Sequence, residues 1–330
     1  MNKRERITKT IAGEATDRPP TALWRHWPGD DQRAADFAHS TIAFQREYDW
    51  DFVRIVPAES FSVTDYGLQD EWQGSPDGRR VIIRRVIQRS LDWTDLRPLD
   101  PNRGTMGRQV EATRLICDGL RHDEIPIIHT IYSPLAQAEM VAGKELLRRH
   151  LRTQPDRIQT GLNTLTESTL RFIDSLKKQP IDGIAYVIRH ADYDELAEEE
   201  YRTYGLPYDR KVLESLPDKW WFNSIQVEGK TPMFRNCAQL PSMMINWEDQ
   251  SGEPDLSQAK LIFNGAMCGG LSSREHLHHG TPATIREQVR VVRGQVNNRR
   301  LIVSSGSLML LTTPLSNIRA VREAVTGVGG

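Results

Sequence analysis

Cysteine is scarce: Cys117, Cys237 and Cys268 are the only three in 330 residues. An odd, scattered set with no CxxC pair argues against a disulfide framework and against a zinc knuckle. No apolar run approaches the roughly 18 residues that a membrane span requires, and Met1-Asn2-Lys3-Arg4-Glu5-Arg6 is too charged to open a secretory signal. A cytoplasmic globule with no membrane partner is the expectation. Neither sign of charge dominates, since Lys and Arg total 43 against 44 for Asp and Glu, a net charge of -1. Phosphate backbones are bound by clustered positive fields, so nucleic acid is not an expected partner. A local basic pocket for an anionic small molecule stays compatible with that balance. The GxGxxG turn of dinucleotide-binding folds is also missing.

What is present is a rhythm. Short apolar, β-branched runs recur at 21–27, 52–57, 126–132, 183–189, 220–227, 243–247, 261–266 and 301–305, each followed by a longer amphipathic stretch. Such alternation marks βα units on a parallel sheet, and eight strands are the number that a closed barrel needs. Helical patterns lie at 138–151, 158–177, 283–296 and 315–325, two of them opened by Pro282 and Thr313-Pro314. The expectation is an α/β fold, a (β/α)8 TIM-type barrel formed by residues 1–330 as one domain. Two stretches interrupt it. Residues 65–89 hold Val81-Ile82-Ile83 and Val86-Ile87 near a Gly-Ser-Pro-Asp-Gly turn, predicting a β-hairpin excursion after the second strand. Residues 193–210, acidic and aromatic, are predicted to form a long loop over the barrel mouth, and 326–330 a loose tail.

Barrel active sites lie at the C-terminal ends of the strands, so polar residues there carry the candidate chemistry. The first strand ends in Trp24-Arg25-His26-Trp27-Pro28-Gly29-Asp30. Arg25 offers a planar fork for a carboxylate, His26 a proton carrier near neutral pH, and Asp30 a carboxylate that stabilises a cation or acts as a base. A packing loop with local ion pairs is the plainer alternative. Glu59 after the second strand is a further candidate catalytic carboxylate, with an ordinary surface position as its alternative. His129 reads more naturally as a hydrogen-bonded core residue than as a catalytic one. Tyr132, Arg189, Asn246, Asn264 and Ser305 complete the predicted substrate-binding set, Arg189 as a second anion clamp. The run His276-Leu277-His278-His279 has no metal-ligand spacing and reads as loop or helix surface.

Several segments together resemble the uroporphyrinogen decarboxylase superfamily from end to end. They are Asn2-Lys3-Arg4-Glu5-Arg6 with Asp17-Arg18-Pro19-Pro20, Leu206-Pro207-Tyr208, Gly280-Thr281-Pro282, Ser304-Ser305-Gly306 and 312–320. The resemblance implies a barrel and two chemistries. Decarboxylases of the family use no cofactor; a carboxylate stabilises a protonated pyrrole while arginines hold the side-chain acids. Arg25 matches the first arginine of their N-terminal loop, but Asp30 follows Gly29 where a second arginine belongs, and 54–59 lacks their aspartate. Relatives that move methyl groups between corrinoids and thiols bind zinc through a His-x-Cys and a later cysteine. The corresponding positions here are Gln226-Val227-Glu228 and Ser307, poor zinc ligands. The resulting expectation is a cofactor-independent lyase that removes carbon dioxide from a carboxylate-bearing tetrapyrrole or other aromatic substrate, with no metal. One alternative is a corrinoid-linked methyltransferase or demethylase component with a non-standard site, using Glu228 and Cys268. Another is a non-catalytic tetrapyrrole- or corrinoid-binding protein. The resemblance also implies a homodimer with facing mouths.

Overall fold

The computed structural model describes residues 1–326, so all of the 326–330 tail except Thr326 lies outside the described residues. Seven parallel strands form one sheet: β1 (Val53–Ile55), β4 (Ile127–Tyr132), β5 (Gly183–Ile188), β6 (Ser224–Val227), β7 (Met244–Asn246), β8 (Ala266–Leu271) and β9 (Leu301–Ser305). Each is buried along its length, as expected for a parallel sheet covered on both faces. The predicted first strand at 21–27 contributes only one parallel bridge, Thr21 to Val303 on β9. Its carbonyl accepts from Asp51 N–H at 2.9 Å just ahead of β1, which closes the circle of the TIM barrel. Pro19 and Pro20 have no N–H to donate, which shortens this strand from its start.

The predicted hairpin excursion is present as β2 (Gln69–Glu71) paired antiparallel with β3 (Val81–Arg84). One strand prediction needs correction. Residues 261–265 are turn, bend and irregular backbone, with Leu261 83% exposed, and the strand starts where the prediction ends, at Ala266. The true strand carries Gly269 and Gly270, which hide it from a β-propensity reading. A Cβ on Gly269 would sit 2.3 Å from Asp249 Oδ1, so only glycine lets that buried carboxylate reach the Gly270 N–H.

The helices wrap the outside. The pattern at 138–151 splits at Gly143 into Pro134–Ala142 and Lys144–Thr153, and 158–177 is the body of Pro155–Leu176. Thr281 accepts from Thr284 N–H, and Pro282 occupies the first turn of Pro282–Gln295. Residues 193–210 are not a loop. They fold mainly as helices Glu198–Tyr204 and Leu206–Glu214, and the second packs on Pro134–Ala142 and Pro155–Leu176 in the outer layer. Glu198, Glu199 and Glu200 complement the positive end of the first helix, and Pro207 opens the second. The His276–His279 run belongs mostly to the helical turn Ser273–His278.

Candidate functional site at the barrel mouth

The barrel interior is layered by the two-residue alternation of its strands. At the bottom Trp24, Phe52 and Phe222 pack ring on ring, with centroids 6.2 and 5.1 Å apart. One layer up, where such barrels usually hold Val, Ile or Leu, this chain places a guanidinium. Arg54 of β1 donates from Nε to Thr130 Oγ1 at 3.0 Å and from Nη1 to Gln226 Oε1 at 2.5 Å. Its guanidinium carbon lies 4.8 Å from the Trp24 ring centroid. No carboxylate pairs with it among the described residues, and its Nη2 has no protein acceptor there. Burial pulls its pKa down to about 10, although Tyr132, Glu228 and Cys268 lie close enough to raise it. Cys268 shares this layer, and burial pushes its thiol up to about 12.

The upper layer is a closed ion ring. Arg189, at the end of β5, donates to Glu59 Oε1 at 2.5 Å and to Glu228 Oε2 at 2.8 Å. Arg79, delivered by the hairpin excursion, reaches the same two carboxylates at 2.9 and 3.1 Å. The Arg189 guanidinium carbon sits 5.0 Å from the Tyr132 ring centroid. Burial alone would raise Glu59, but Arg189 and Arg79 outweigh it and hold the acid down at about 2. Arg79 is raised by Glu228 and Glu59 in turn. His26 is buried beside the ring with both ring nitrogens unpartnered, its Nε2 4.0 Å from Glu59 Oε1. Burial pulls its pKa down to about 4, so the imidazole is neutral at pH 7. The hairpin turn packs tightly over it. Gly78 has φ +79° and a Cβ there would lie 2.7 Å from His26 Cβ.

The structure therefore brings together His26, Glu59, Tyr132 and Arg189. Asn246 and Ser305 lie beside the same interior: Asn246 Nδ2 donates to the carbonyls of Cys268 and Ser305 at 2.8 and 3.0 Å, and its Oδ1 is buried without a partner. Three predicted residues fall elsewhere. Alternation turns Arg25 away from the axis, so it covers Trp27 at 4.7 Å and donates to the His26 and Leu311 carbonyls. Asp30 lies in the three-residue turn Asp30–Gln32 and accepts from Ser40 Oγ at 2.6 Å in an exposed pair. Asn264 precedes β8 and so stands at the opposite end of the barrel, exposed, with its carbonyl accepting from Arg300. His129 points outward between Phe61 and Phe172, as a core residue. Arg54 and Arg79 were missed. A charge inside the apolar run Phe52-Val53-Arg54-Ile55-Val56 was the available signal for the first; nothing local marks the second.

A cavity of about 520 Å³ opens above this layer, walled by Arg79, Gln226, Glu228, Glu248, Arg274 and Ser307 among others. Gln226 thus lies between the cavity and Arg54. Ser307 Oγ is 3.0 Å from Ser273 Oγ. Among the described residues no three His, Cys, Asp or Glu side chains converge as metal ligands.

Comparison with known proteins agrees with this architecture. The methylcobamide:CoM methyltransferase MtbA of Methanosarcina acetivorans is 21% identical over 343 aligned positions, covering 97% of this chain and 96% of that protein. Its Methanosarcina mazei counterpart is 20% identical with the same coverage. Among solved structures, a methyltransferase from Methanosarcina mazei superposes with a TM-score of 0.86 at 17% identity, covering 98% of both chains. A B12-independent methionine synthase from Shewanella sp. W3-18-1 reaches 0.55 at 12% identity, covering 96% of this chain and 94% of its own. The pattern of one family runs through residues 2–328, and on it the chain belongs to the uroporphyrinogen decarboxylase (URO-D) family.

Proposed function

We propose that this chain is a methyltransferase-type member of the family, moving a methyl group between a methylated corrinoid substrate and a small acceptor. The end-to-end similarity to methylcobamide:CoM methyltransferases favours this over carbon dioxide release. The charge at the barrel mouth would come from arginines and not from a resident metal. One observation carries that part. The positions where the resemblance puts zinc ligands hold Gln226, already bound by Arg54, and Glu228, bound by both Arg79 and Arg189. A dication placed there would meet three guanidinium groups and, in Gln226 and Ser307, two weak donors. The residues present do not fit zinc, and no step is routed through it.

In the transfer, a lone pair on the acceptor attacks the methyl carbon. The carbon–cobalt bond breaks with both electrons staying on cobalt. What this chain supplies is orientation, exclusion of water and positive charge near the acceptor. His26, held neutral at pH 7 by a pKa of about 4, would neither bring nor take the acceptor's proton.

The test is an anaerobic assay of methylcob(III)alamin with a panel of thiols and phenols, following loss of the methylcorrinoid spectrum and the methylated acceptor by mass. Enzyme-dependent methyl transfer is expected. A second reading, a lyase acting on a carboxylate substrate, is favoured by the same unpaired Arg54, since a carboxylate would also match it. Carbon dioxide release from uroporphyrinogen or aromatic acids without methyl transfer would select the lyase. Binding without any product would leave a non-catalytic carrier.

A further inference from the structure

We propose that Arg54, in the middle of the barrel, is the counter-ion of an anionic subsite that binds the acceptor as a phenolate or thiolate, with the Gln226 amide oxygen holding the anion's place when the site is empty. This deepens the methyl-transfer reading and rests on it for the acceptor's role.

The argument is one of unbalanced charge. A guanidinium is rarely taken out of water without a carboxylate or an equivalent set of acceptors. Other arginines drawn into the interior are paired with carboxylates: Arg6 and Arg18 share Asp51, and Arg189 has Glu59 and Glu228. Arg54 is 9% exposed and has a hydroxyl, an amide oxygen and an indole face, all neutral. The interior around it is polar where a packed barrel would be aliphatic. Trp24 Nε1 and Asn246 Oδ1 are buried there without partners, a donor and an acceptor left over by the protein. Gln226 links this layer to the cavity, since its side chain lines the cavity wall and its oxygen sits on Arg54. An entering anion that displaced this oxygen would exchange a dipole for a full charge at the same nitrogen.

The chemistry fits the reaction. Methyl transfer needs the acceptor as X⁻ and not X–H. The proton leaves to bulk water as the acceptor binds; X⁻ then forms its bond to the methyl carbon while the cobalt keeps the electron pair of the broken bond. A fixed cation at X⁻ lowers the cost of the first step, the same service that a Lewis-acidic metal performs.

The experiment uses 4-nitrophenol as probe, because its phenolate absorbs in the visible and its phenol does not. Titrating the full-length protein with the probe across pH gives the acidity of the bound form. Wild-type protein is expected to bind the phenolate at least tenfold more tightly than the phenol, lowering the bound probe's pKa by a unit or more. Arg54→Met should remove that preference, Arg54→Lys should keep part of it, and Gln226→Ala should strengthen it. Saturable binding with the same preference in wild type and Arg54→Met would overturn the subsite, as would the absence of saturable binding to folded wild type. No methyl donor is present, so the two ideas fail separately. Anion binding without corrinoid demethylation would leave the subsite and remove the methyl-transfer reading. Methyl transfer surviving in Arg54→Met would do the reverse.

Discussion

If Arg54 is held in the barrel for binding and not for stability, removing its charge should leave the fold intact or make it firmer. The pKa of Arg54 falls from 12.5 to about 10, with burial as the leading cause. At 1.36 kcal/mol per pKa unit, the folded state disfavours the charged form by about 3 kcal/mol at neutral pH. Arg54→Met keeps most of the volume and removes that cost. It also leaves Thr130 Oγ1 and Gln226 Oε1 without their donor, which costs about 1–3 kcal/mol for a buried acceptor. With two acceptors stranded, the single variant should lie between about 1 kcal/mol more and about 3 kcal/mol less stable than wild type. Arg54→Met/Gln226→Leu, which removes the stranded amide and leaves only Thr130 Oγ1, should gain about 0–2 kcal/mol. For a chain of this size that is a rise in Tm of at most roughly 3 °C. Urea unfolding followed by tryptophan fluorescence and circular dichroism reads both values. Loss of more than about 3 kcal/mol in the double variant would refute the reasoning, because Arg54 would then be a structural keystone whose charge the protein already compensates.

Other expectations follow from the buried titratable groups and one glycine. Asp209 accepts from the hydroxyls of Tyr186 and Tyr201, yet burial raises its pKa to about 7. A raised folded-state pKa contributes stability below the unfolded value of 3.8 that is lost as pH climbs through 7. Asp209→Asn should thus match wild type near pH 4 and exceed it by about 1–3 kcal/mol at pH 8, measured by urea unfolding at both pH values. His26 runs the other way. With its pKa lowered to about 4 by burial, its contribution is present above 6.5 and lost as pH falls through 4. His26→Phe should flatten the acid limb of the stability curve by up to about 3 kcal/mol, and an unchanged limb would contradict the assignment. Gly269→Ala forces a methyl to within 2.3 Å of Asp249 Oδ1 and should cost about 1–3 kcal/mol in the same assay.

Much of the fold was legible from the residues. The strand Leu301–Ser305 has its predicted ends, and the Gly-Ser-Pro-Asp-Gly turn correctly announces the hairpin. The failures have physical causes. Residues 261–266 look like a strand because Leu261-Ile262-Phe263 is apolar, while the real strand is disguised by glycines that make room for Asp249. Residues 193–210 look like a loop because their charge masks two helices seated on the outer layer. At the site, strand alternation could have separated Arg25 from His26, since neighbouring residues on one strand face opposite ways. Arg54 was visible as a charge in an apolar run. Arg79 was not, because a residue 149 positions before Glu228 meets it only through the folded hairpin.

The most direct test of the account is the methyl-transfer rate measured on one preparation before and after exhaustive chelation and removal of metal. The account predicts the same rate in both samples, with Arg54→Met greatly slowed in each. A rate lost on chelation and restored by added zinc would contradict it, and would place a metal where the structure puts Gln226, Glu228 and their arginines.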